Sequence, residues 1–350
     1  MTQYGAGAVS VVIVTWNRRD LLRNCLQSLR LQQFKEPFEV TVVDNGSRDG
    51  SPEMVLQEFS NDPAFRLKLI RNENNLGFCV ANNQGIAVSS AGLIALLNND
   101  AEAEPGWLAA LACAFENRAD IGMAASKILV HEDPHRIDKA GHLIYPDGQN
   151  RGRGSGELDT GQYDRLEEVL WPDGCAAMYR RAMLDQIGGF DEDFFAYGDD
   201  AELGLRARIA GWKCLYVPQA VVRHHRGATL GVRSTRRLAL IERNRVLLAV
   251  KLFPWSLLWL NGVYYSMRLA AGLWAALRNR GEVGQYQGLL GKLKAALALA
   301  KGDLDALALI PRMLRKRRTL DAIRKLSPSQ VRRLILDNQI SLKELTEQST

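Results

Sequence analysis

The sequence has no closely spaced cysteine pair. Its five cysteines, Cys25, Cys79, Cys113, Cys175 and Cys214, are odd in number and scattered through apolar or helical-looking stretches. That argues against a disulfide framework and predicts buried, reduced thiols in a cytosolic protein. The opening MTQYGAGAVS lacks a basic segment followed by an apolar run, so no secretory signal is expected. A bilayer-spanning run is missing too. The longest uncharged apolar stretch, Leu252 to Met267, has 16 residues between Lys251 and Arg268. About 20 are needed, and Pro254, Asn261 and Gly262 interrupt it. An interfacial or re-entrant segment stays open. With 350 residues, 47% apolar and 24% charged, the chain is more than one average domain and less than three. Disordered, collagen-like and polytopic membrane classes are excluded.

Charge of one sign is scarce in each half. Residues 1–235 hold 24 Lys+Arg against 31 Asp+Glu, a net of −7, whereas residues 236–350 hold 21 against 8, a net of +13. An acidic front and a basic rear suggest two units with different partners, here 1–235 and 236–350.

The front alternates strand and helix. Ser10–Thr15 is a β-branched run, read as a buried strand. Asn17 follows as an N-cap, with Leu22, Cys25, Leu26 and Leu29 at helical spacing. Val40–Val43 is a second strand, and Ser51-Pro52 opens the next helix. Leu67–Ile70 is a third strand, Asn82–Ser90 a helix, and Leu93–Leu97 a fourth strand. Four alternations predict an α/β fold with a doubly wound, mostly parallel, Rossmann-like sheet. In such a sheet ligands bind at the carboxyl ends of the strands. Polar clusters fall at all four: Thr15–Asn17, Asp44–Ser47, Asn72–Gly77 and Asn98–Asp100. One cluster would be turn chemistry; four at one edge suggest a site.

The glycine-rich stretch Tyr145–Glu168 reads as a long loop, a lid or slack. Gly152, Gly154 and Gly156 neither follow a strand nor open a helix, which removes a dinucleotide fingerprint. Order returns at Trp171–Arg181. A helix over 181–186, one over 200–210 and a strand over 213–217 come next, and Ala220–His225 leads outward. Past residue 235 only helical signals remain, ending in a helical hairpin around Ser327-Pro328.

Three places could carry chemistry. Asp100, directly after a buried strand, is a hard oxygen ligand suited to Mg²⁺ or Mn²⁺; its plainer reading is a cap for a helix after Glu104-Pro105. Asp199 and Glu202 have capping-box spacing. That leaves Asp200 as a second carboxylate beside the first, and mutual repulsion would raise at least one pKa, which suits a general base. His224 and His225 follow an apolar run and could ligate metal or phosphate or be structural.

Together the segments Val11–Arg18, Val42–Ser47, Asn75–Phe78, Leu97–Asp100, Gly188–Phe195, Gly198–Leu203 and Ala220–His224 resemble an inverting family 2 glycosyltransferase of the GT-A fold, in the rhamnosyltransferase-like branch. They run in the family's order across about residues 8–230. The resemblance implies a nucleoside diphosphate sugar as donor. Thr15, Asn17, Asp44, Asn45, Asn75, Gly77, Asn98 and Asn99 would lie about it, with Asp44 reaching the base. Asn98-Asn99-Asp100 would stand for the Asp-x-Asp motif, its first carboxylate replaced by an amide. Asp100 and His224 would hold Mg²⁺ or Mn²⁺ on the diphosphate. Asp199-Asp200 would replace the family's Glu-Asp pair, with Asp200 as base; Trp171, Gly174 and Cys175 would lie on the acceptor side. One base acting opposite the leaving group inverts the anomeric carbon. The acceptor implied is a glycan or lipid-linked glycan of cell-surface polysaccharide.

Competing readings are a nucleotidyltransferase, which lacks its Gly-rich basic loop here, a catalytically dead scaffold, and a nucleic-acid binder using the basic Arg312–Arg318. The last lacks interleaved aromatics and any base-reading motif, so no nucleic acid is expected. The rear fits a membrane surface better. Trp255, Trp259, Tyr264, Tyr265 and Trp274 alternate with Lys251, Arg268, Arg278 and Arg280, a headgroup-boundary pattern. The expectation is a cytoplasmic enzyme, peripheral on the inner face of the cell membrane, with a soluble bundle as the alternative.

Overall fold

The computed structural model describes residues 8–227, 234–278, 280–286 and 288–347. The opening is β1 (Val9–Thr15), α1 (Arg19–Arg30), β2 (Phe38–Asp44), α2 (Ser51–Phe59), β3 (Phe65–Arg71), α3 (Phe78–Val88) and β4 (Leu93–Leu97). Strands β4, β1, β2 and β3 lie side by side and parallel, as their alternation with helices predicts. Thr15 pairs with Asp44, and Asp44 with Arg71, so the strands end level at one edge.

The sheet continues through β5 (Ala101–Ala103), α4 (Trp107–Cys113), β6 (Ile121–Val130), β7 (Ile137–Lys139), β8 (His142–Ile144), β9 (Asn150–Gly152), β10 (Glu167–Val169), β11 (Ala176–Arg180), α5 (Arg181–Ile187), α6 (Asp199–Ile209) and β12 (Lys213–His224). The main order is β10-β12-β6-β11-β4-β1-β2-β3. Six of these strands point one way; β10 and β11 run against them. β11 sits antiparallel between β4 and β6, so it begins where its neighbour ends. Ala176 pairs with Leu97, which brings Asp173–Cys175 to the polar edge.

The rear is helical among the described residues: α7 (Thr235–Leu252), α8 (Trp255–Leu258), α9 (Asn261–Leu277), α10 (Gly281–Gly284), α11 (Gly288–Thr319), α12 (Pro328–Asp337) and α13 (Leu342–Glu347). Residue 235 divides the chain by secondary structure but not by packing. One hydrophobic core joins Val12 and Met123 of the sheet, Leu203 and Leu205 of α6, Leu247 of α7, Phe253 just after it and Ile335 of α12.

Several local expectations change. Asn17 does not cap α1. The residue before that helix is Arg18, in left-handed conformation, and the Arg19 N–H is taken by Asp49 at 2.8 Å. α3 starts four residues early because the Phe195 carbonyl accepts the N–H groups of Phe78 and Cys79. Asp199 and Glu202 form no capping box. Gly198 precedes α6, and Glu202 turns to Arg206 and Lys251 instead. Asp100 caps no helix either, since β5 follows it directly. The stretch 145–168 is not slack. It holds β9 and the start of β10, and Lys127 bridges Asp159 at 2.5 Å and Asp164 at 2.7 Å. Cys113 is exposed, whereas the other four cysteines are buried.

Part of the charge asymmetry is spent on ion pairs between the two halves. Lys251 of α7 lies 2.5 Å from Asp191 and 2.6 Å from Glu202, all three buried. Lys316 and Arg312 of α11 reach Asp191 and Asp193. Arg268 of α9 reaches Asp147 at 2.5 Å. Arg312 and Lys316 belong to the basic cluster that prompted the nucleic-acid reading, and their ion pairs remove much of its support. Burial works against the Asp191 carboxylate, but Lys251 and Lys316 win and hold its pKa down to about 2, from an ordinary 3.8. A depressed carboxylate stabilises the fold above its unfolded pKa and loses that contribution as pH falls through the folded one. The contribution is roughly 2 kcal/mol. Thermal unfolding from pH 7 to pH 2 should therefore show an acid-side loss centred between about 4 and 2. Asp191→Asn should lower Tm at pH 7 and flatten that loss.

Candidate active site

The edge where β1 and β2 end is built from amides. Asn45 donates to Asn75 Oδ1 at 3.0 Å and to the Gly77 carbonyl at 3.2 Å, while its own oxygen accepts from Asn72 and from the Leu76 N–H. Asn75 Oδ1 also takes the Gly77 N–H at 2.9 Å. Asn45 and Asn75 thus hold the loop before α3 in one shape. Thr15, buried at the end of β1, accepts from Asn99 at 3.0 Å and donates to the Asn17 carbonyl at 3.1 Å. Asn17 receives the Arg48 N–H and gives its own N–H to Ser47. Asn17 and Arg18 both have positive φ, 60° and 68°, so this turn is strained next to the cleft. Asp44 is 2% exposed. Burial pushes its carboxyl above the usual range, although two long bonds from the Ser47 N–H oppose the shift.

The second corner joins Asp100 and His224. Pairing of β5 with β12 sets Ala101 opposite His224. His224 Nε2 lies 3.4 Å from Asp100 Oδ1, and its Nδ1 is 2.8 Å from the buried Asp138. With Nδ1 on a carboxylate, Nε2 is turned toward Asp100, the way metal-binding histidines are oriented. Asp100 Oδ1 is buried without a hydrogen-bond partner. An orphaned carboxylate oxygen facing an imidazole nitrogen is a donor set that fits a divalent cation. Backbone bonds frame it: the Asn98 N–H reaches the Cys175 carbonyl at 2.8 Å, and the Cys25 thiol donates to the Asn98 carbonyl.

The third corner is the start of α6. Asp199 is buried and Asp200 partly exposed. Asp200 Oδ2 lies 3.5 Å from His142 Nε2 and accepts the Gly174 N–H at 3.4 Å. His142 Nε2 lies 2.8 Å from Asp173 Oδ2, which also pairs with Lys139 Nζ at 2.7 Å. Burial raises the Asp199 carboxyl well above the usual range, and its neighbour Asp200 raises it further. Burial also raises Asp200; His142 and Lys139 draw it back down, and Asp173 pushes it up. Asp173 goes the other way. Burial opposes its ionisation, but Lys139 and His142 hold it well below the usual range. One carboxylate is thus kept charged and the exposed one is kept basic.

The structure therefore brings Asp200, Gly174, Asp100 and His224 to the edge where β1, β2 and β4 end. Trp171 and Cys175 are placed differently from the acceptor-side expectation. Both are buried, at 0% and 2% exposure. Trp171 stacks on His142 at 6.0 Å between centroids and fills the space that Gly204 leaves open. Lys139, His142, Asp173 and Asp138 are absent from the sequence reading. Asp173, next to Trp171 and Gly174, could have been suspected; Asp138, Lys139 and His142 sit on two three-residue strands with no periodic signal.

Phe195 links the corners. It has φ 63°, its carbonyl caps α3, and its ring lies against Gly77, where an added Cβ would come within 2.5 Å of Phe195 Cδ2. Asn244 of α7 donates to the carbonyls of Phe194, Ala196 and Tyr197 in the same turn.

A doubly wound sheet whose strand ends carry a carboxylate–histidine corner and a carboxylate pair has the layout of an α/β enzyme that binds its ligand at the carboxyl edge of the sheet. The comparisons agree. The sequence model of glycosyl transferase family 2 matches residues 10–188, just over half the chain, and that of glycosyl transferase family group 2 matches residues 158–285. The chain belongs to glycosyl transferase family 2 and is a glycosyltransferase, with its similarity in the rhamnosyltransferase-like branch. It is 31% identical over 251 residues to an N-acetylglucosaminyl-diphospho-decaprenol L-rhamnosyltransferase of Mycobacterium tuberculosis, covering 63% of this chain and 77% of that one. GalNAc-T7, solved with UDP, GalNAc and Mn²⁺, superposes with a TM-score of 0.58 at 15% identity, over 87% of this chain and 57% of that one. TarS of S. aureus gives 0.52 at 17%, over 96% and 55%. Those two likenesses speak for the GT-A fold.

Gly77 has φ 91°, which a side chain resists, besides the contact with Phe195. Gly77→Ala should lower Tm and weaken nucleotide binding together, measured by thermal unfolding with and without UDP and dTDP. Wild-type behaviour in both would show that the loop is not set by Phe195.

Proposed function

We propose that the enzyme transfers a sugar from a nucleoside diphosphate sugar to a hydroxyl of a lipid-linked glycan acceptor, with inversion at the anomeric carbon. The observation that carries this reading is Asp200: a partly exposed carboxylate with raised basicity, at the strand-end edge beside the Asp100–His224 corner. The relative that acts on a diphospho-decaprenol-linked N-acetylglucosamine supports the lipid-linked acceptor.

On this reading Thr15, Asn17 and Asp44 meet the nucleoside, and the amide-held loop of Asn45, Asn75 and Gly77 walls it. Asp100 and His224 would hold a divalent cation, Mg²⁺ or Mn²⁺, which would supply positive charge for the leaving diphosphate. Asp200 takes the proton of the acceptor hydroxyl through Oδ2. The bond from that oxygen to the anomeric carbon forms as the bond to the diphosphate breaks on the opposite face. His142, braced by Asp173 and Trp171, orients Asp200. Lys139 already supplies a cation to Asp173, so this corner serves protons.

Asp200→Asn should cut turnover by about 100-fold to 10,000-fold while donor binding survives. A base must be unprotonated, so kcat/KM should fall as pH drops through the raised pKa of Asp200. His142→Gln removes a group that lowers that pKa, and the acid limb should move to higher pH. EDTA should abolish transfer and Mn²⁺ restore it. Near-wild-type turnover by Asp200→Asn, or full activity in chelator, would remove the corresponding role.

A second part of the reading concerns location. No helix among the described residues is long and apolar enough to cross a membrane. Even so, α8, α9 and α11 expose Trp255, Trp259, Leu273, Trp274, Leu289 and Leu290, with Trp259 at 82% and Leu289 at 87%. The Arg278 guanidinium lies 4.3 Å from the Trp274 ring centre, and Arg317 lies 4.6 Å from that of Trp255. Exposed tryptophans with neighbouring cations suit the headgroup boundary of a membrane on which a lipid-linked acceptor is presented. Because many rear cations are paired internally, apolar contact carries more of this docking than charge. The full chain should sediment with phosphatidylglycerol vesicles, and Trp259→Ser with Leu273→Ser should release it while leaving donor binding intact. A soluble dimer that buries this face and ignores vesicles would replace the membrane with a second copy.

A further inference from the structure

Beside the Asp100–His224 corner, and sharing none of its side chains, two histidines and a glutamate converge. Glu102 lies in β5, His131 follows β6, and His225 follows β12. Glu102 Oε1 is 3.4 Å from His131 Nε2 and 3.8 Å from His225 Nε2. All three donor atoms lie within 4.8 Å of one another. The two imidazoles stack with centroids 3.6 Å apart and planes 25° from parallel, so their Nε2 atoms face the same carboxylate.

Surface histidines sharing a glutamate are common, but two details here point to a ligand. The first is an orphaned nitrogen. His225 Nδ1 lies 2.8 Å from Glu132 Oε1, and that carboxylate fixes the tautomer with Nε2 bare. His225 Nε2 is closed off from solvent and makes no hydrogen bond. A buried nitrogen lone pair without a donor is unfavourable unless something binds it. The second is spacing. Ligands about 2.1 Å from a tetrahedral ion lie roughly 3.4 Å from one another, close to the distances found. Two imidazoles, one carboxylate and a fourth position for water form a set preferred by borderline ions over hard Mg²⁺ or Mn²⁺.

We propose that Glu102, His131 and His225 form a second metal site, for Zn²⁺, separate from the cation at Asp100 and His224. Its ligands come from three separate segments, and it braces the other corner through the backbone. The His225 N–H donates to the Asp100 carbonyl at 2.9 Å, and the His131 N–H to the His224 carbonyl at 3.0 Å. An ion here locks the ends of β5, β6 and β12 together and sets the separation of Asp100 and His224 from behind.

The test uses the full chain, stripped with chelator, and reads metal binding rather than transfer, so its outcome is independent of the proposed reaction. Zn²⁺ is titrated calorimetrically, and Co²⁺ by its visible absorption, into wild type, His131→Gln, Glu102→Gln, Glu132→Gln and Asp100→Asn. The expected result is Zn²⁺ binding that survives Asp100→Asn, raises Tm, and gives a tetrahedral Co²⁺ spectrum. His131→Gln and Glu102→Gln should each lose at least about 100-fold in affinity. Glu132→Gln, which keeps all three ligands and disturbs the site least, should lose roughly 10–100-fold. Absence of Zn²⁺ binding in wild type overturns the proposal. So does equal affinity in the ligand variants, or loss of binding in Asp100→Asn with the ligand variants intact.

Discussion

The buried ammonium of Lys251, held between Asp191 and Glu202, is the contact on which the rest depends. Glu202 also carries Arg206, whose guanidinium gathers the carbonyls of Ile187, Gly188 and Gly189 at the end of α5. One charged knot therefore ties the rear helix α7 to α6, and α6 to the turn that leads into it. Charges this deep are tolerated because each has an opposite neighbour and its remaining hydrogen bonds are met. Asp199 and Asp200 sit one turn from the knot, so the orientation of that carboxylate pair descends from an interaction deep beneath the cleft.

The same knot revises the meaning of charge in this chain. Composition shows an acidic half and a basic half, and two partners are a natural inference. The fold shows that the two halves are joined by ion pairs, with Lys251, Arg268, Arg312 and Lys316 of the rear set on Asp147, Asp191, Asp193 and Glu202 of the front. A rear that packs through Leu247, Phe253 and Ile335 into the core of the sheet is a continuation of the catalytic body. What it presents outward combines exposed tryptophans and leucines with cations such as Arg315, Arg318 and Arg332.

Much of the fold was legible because buried parallel strands leave an unmistakable trace: Ser10–Thr15, Val40–Val43 and Leu93–Leu97 are nearly continuous β-branched and aliphatic runs. The motif residues Asp44, Asp100, Asp200 and His224 were legible for a related reason, since they stand where those runs stop or where α6 starts. Asp138, Lys139 and His142 were not, because β7 and β8, each three residues long and paired with the neighbouring β6 and β9, are too short to show a period. The Asp199–Glu202 box misled because a capping pattern is local, while Glu202 answers to Lys251, 49 positions away. Asn17 misled likewise: its partners, Ser47 and Arg48, lie in the next loop.

The clasped turn before α6 has a consequence for local opening. Phe195 gives its carbonyl to the first amides of α3, while Asn244 grips the carbonyls on either side. Segments that share hydrogen bonds in this way open as one cooperative unit. The amides of Phe78 and Cys79 cannot exchange with solvent unless Phe195 lets go, and Phe195 cannot let go without disturbing the approach to Asp200. The loop before α3 and the turn that leads to Asp200 thus belong to a single exchange unit, and the cleft opens with both of its sides or with neither.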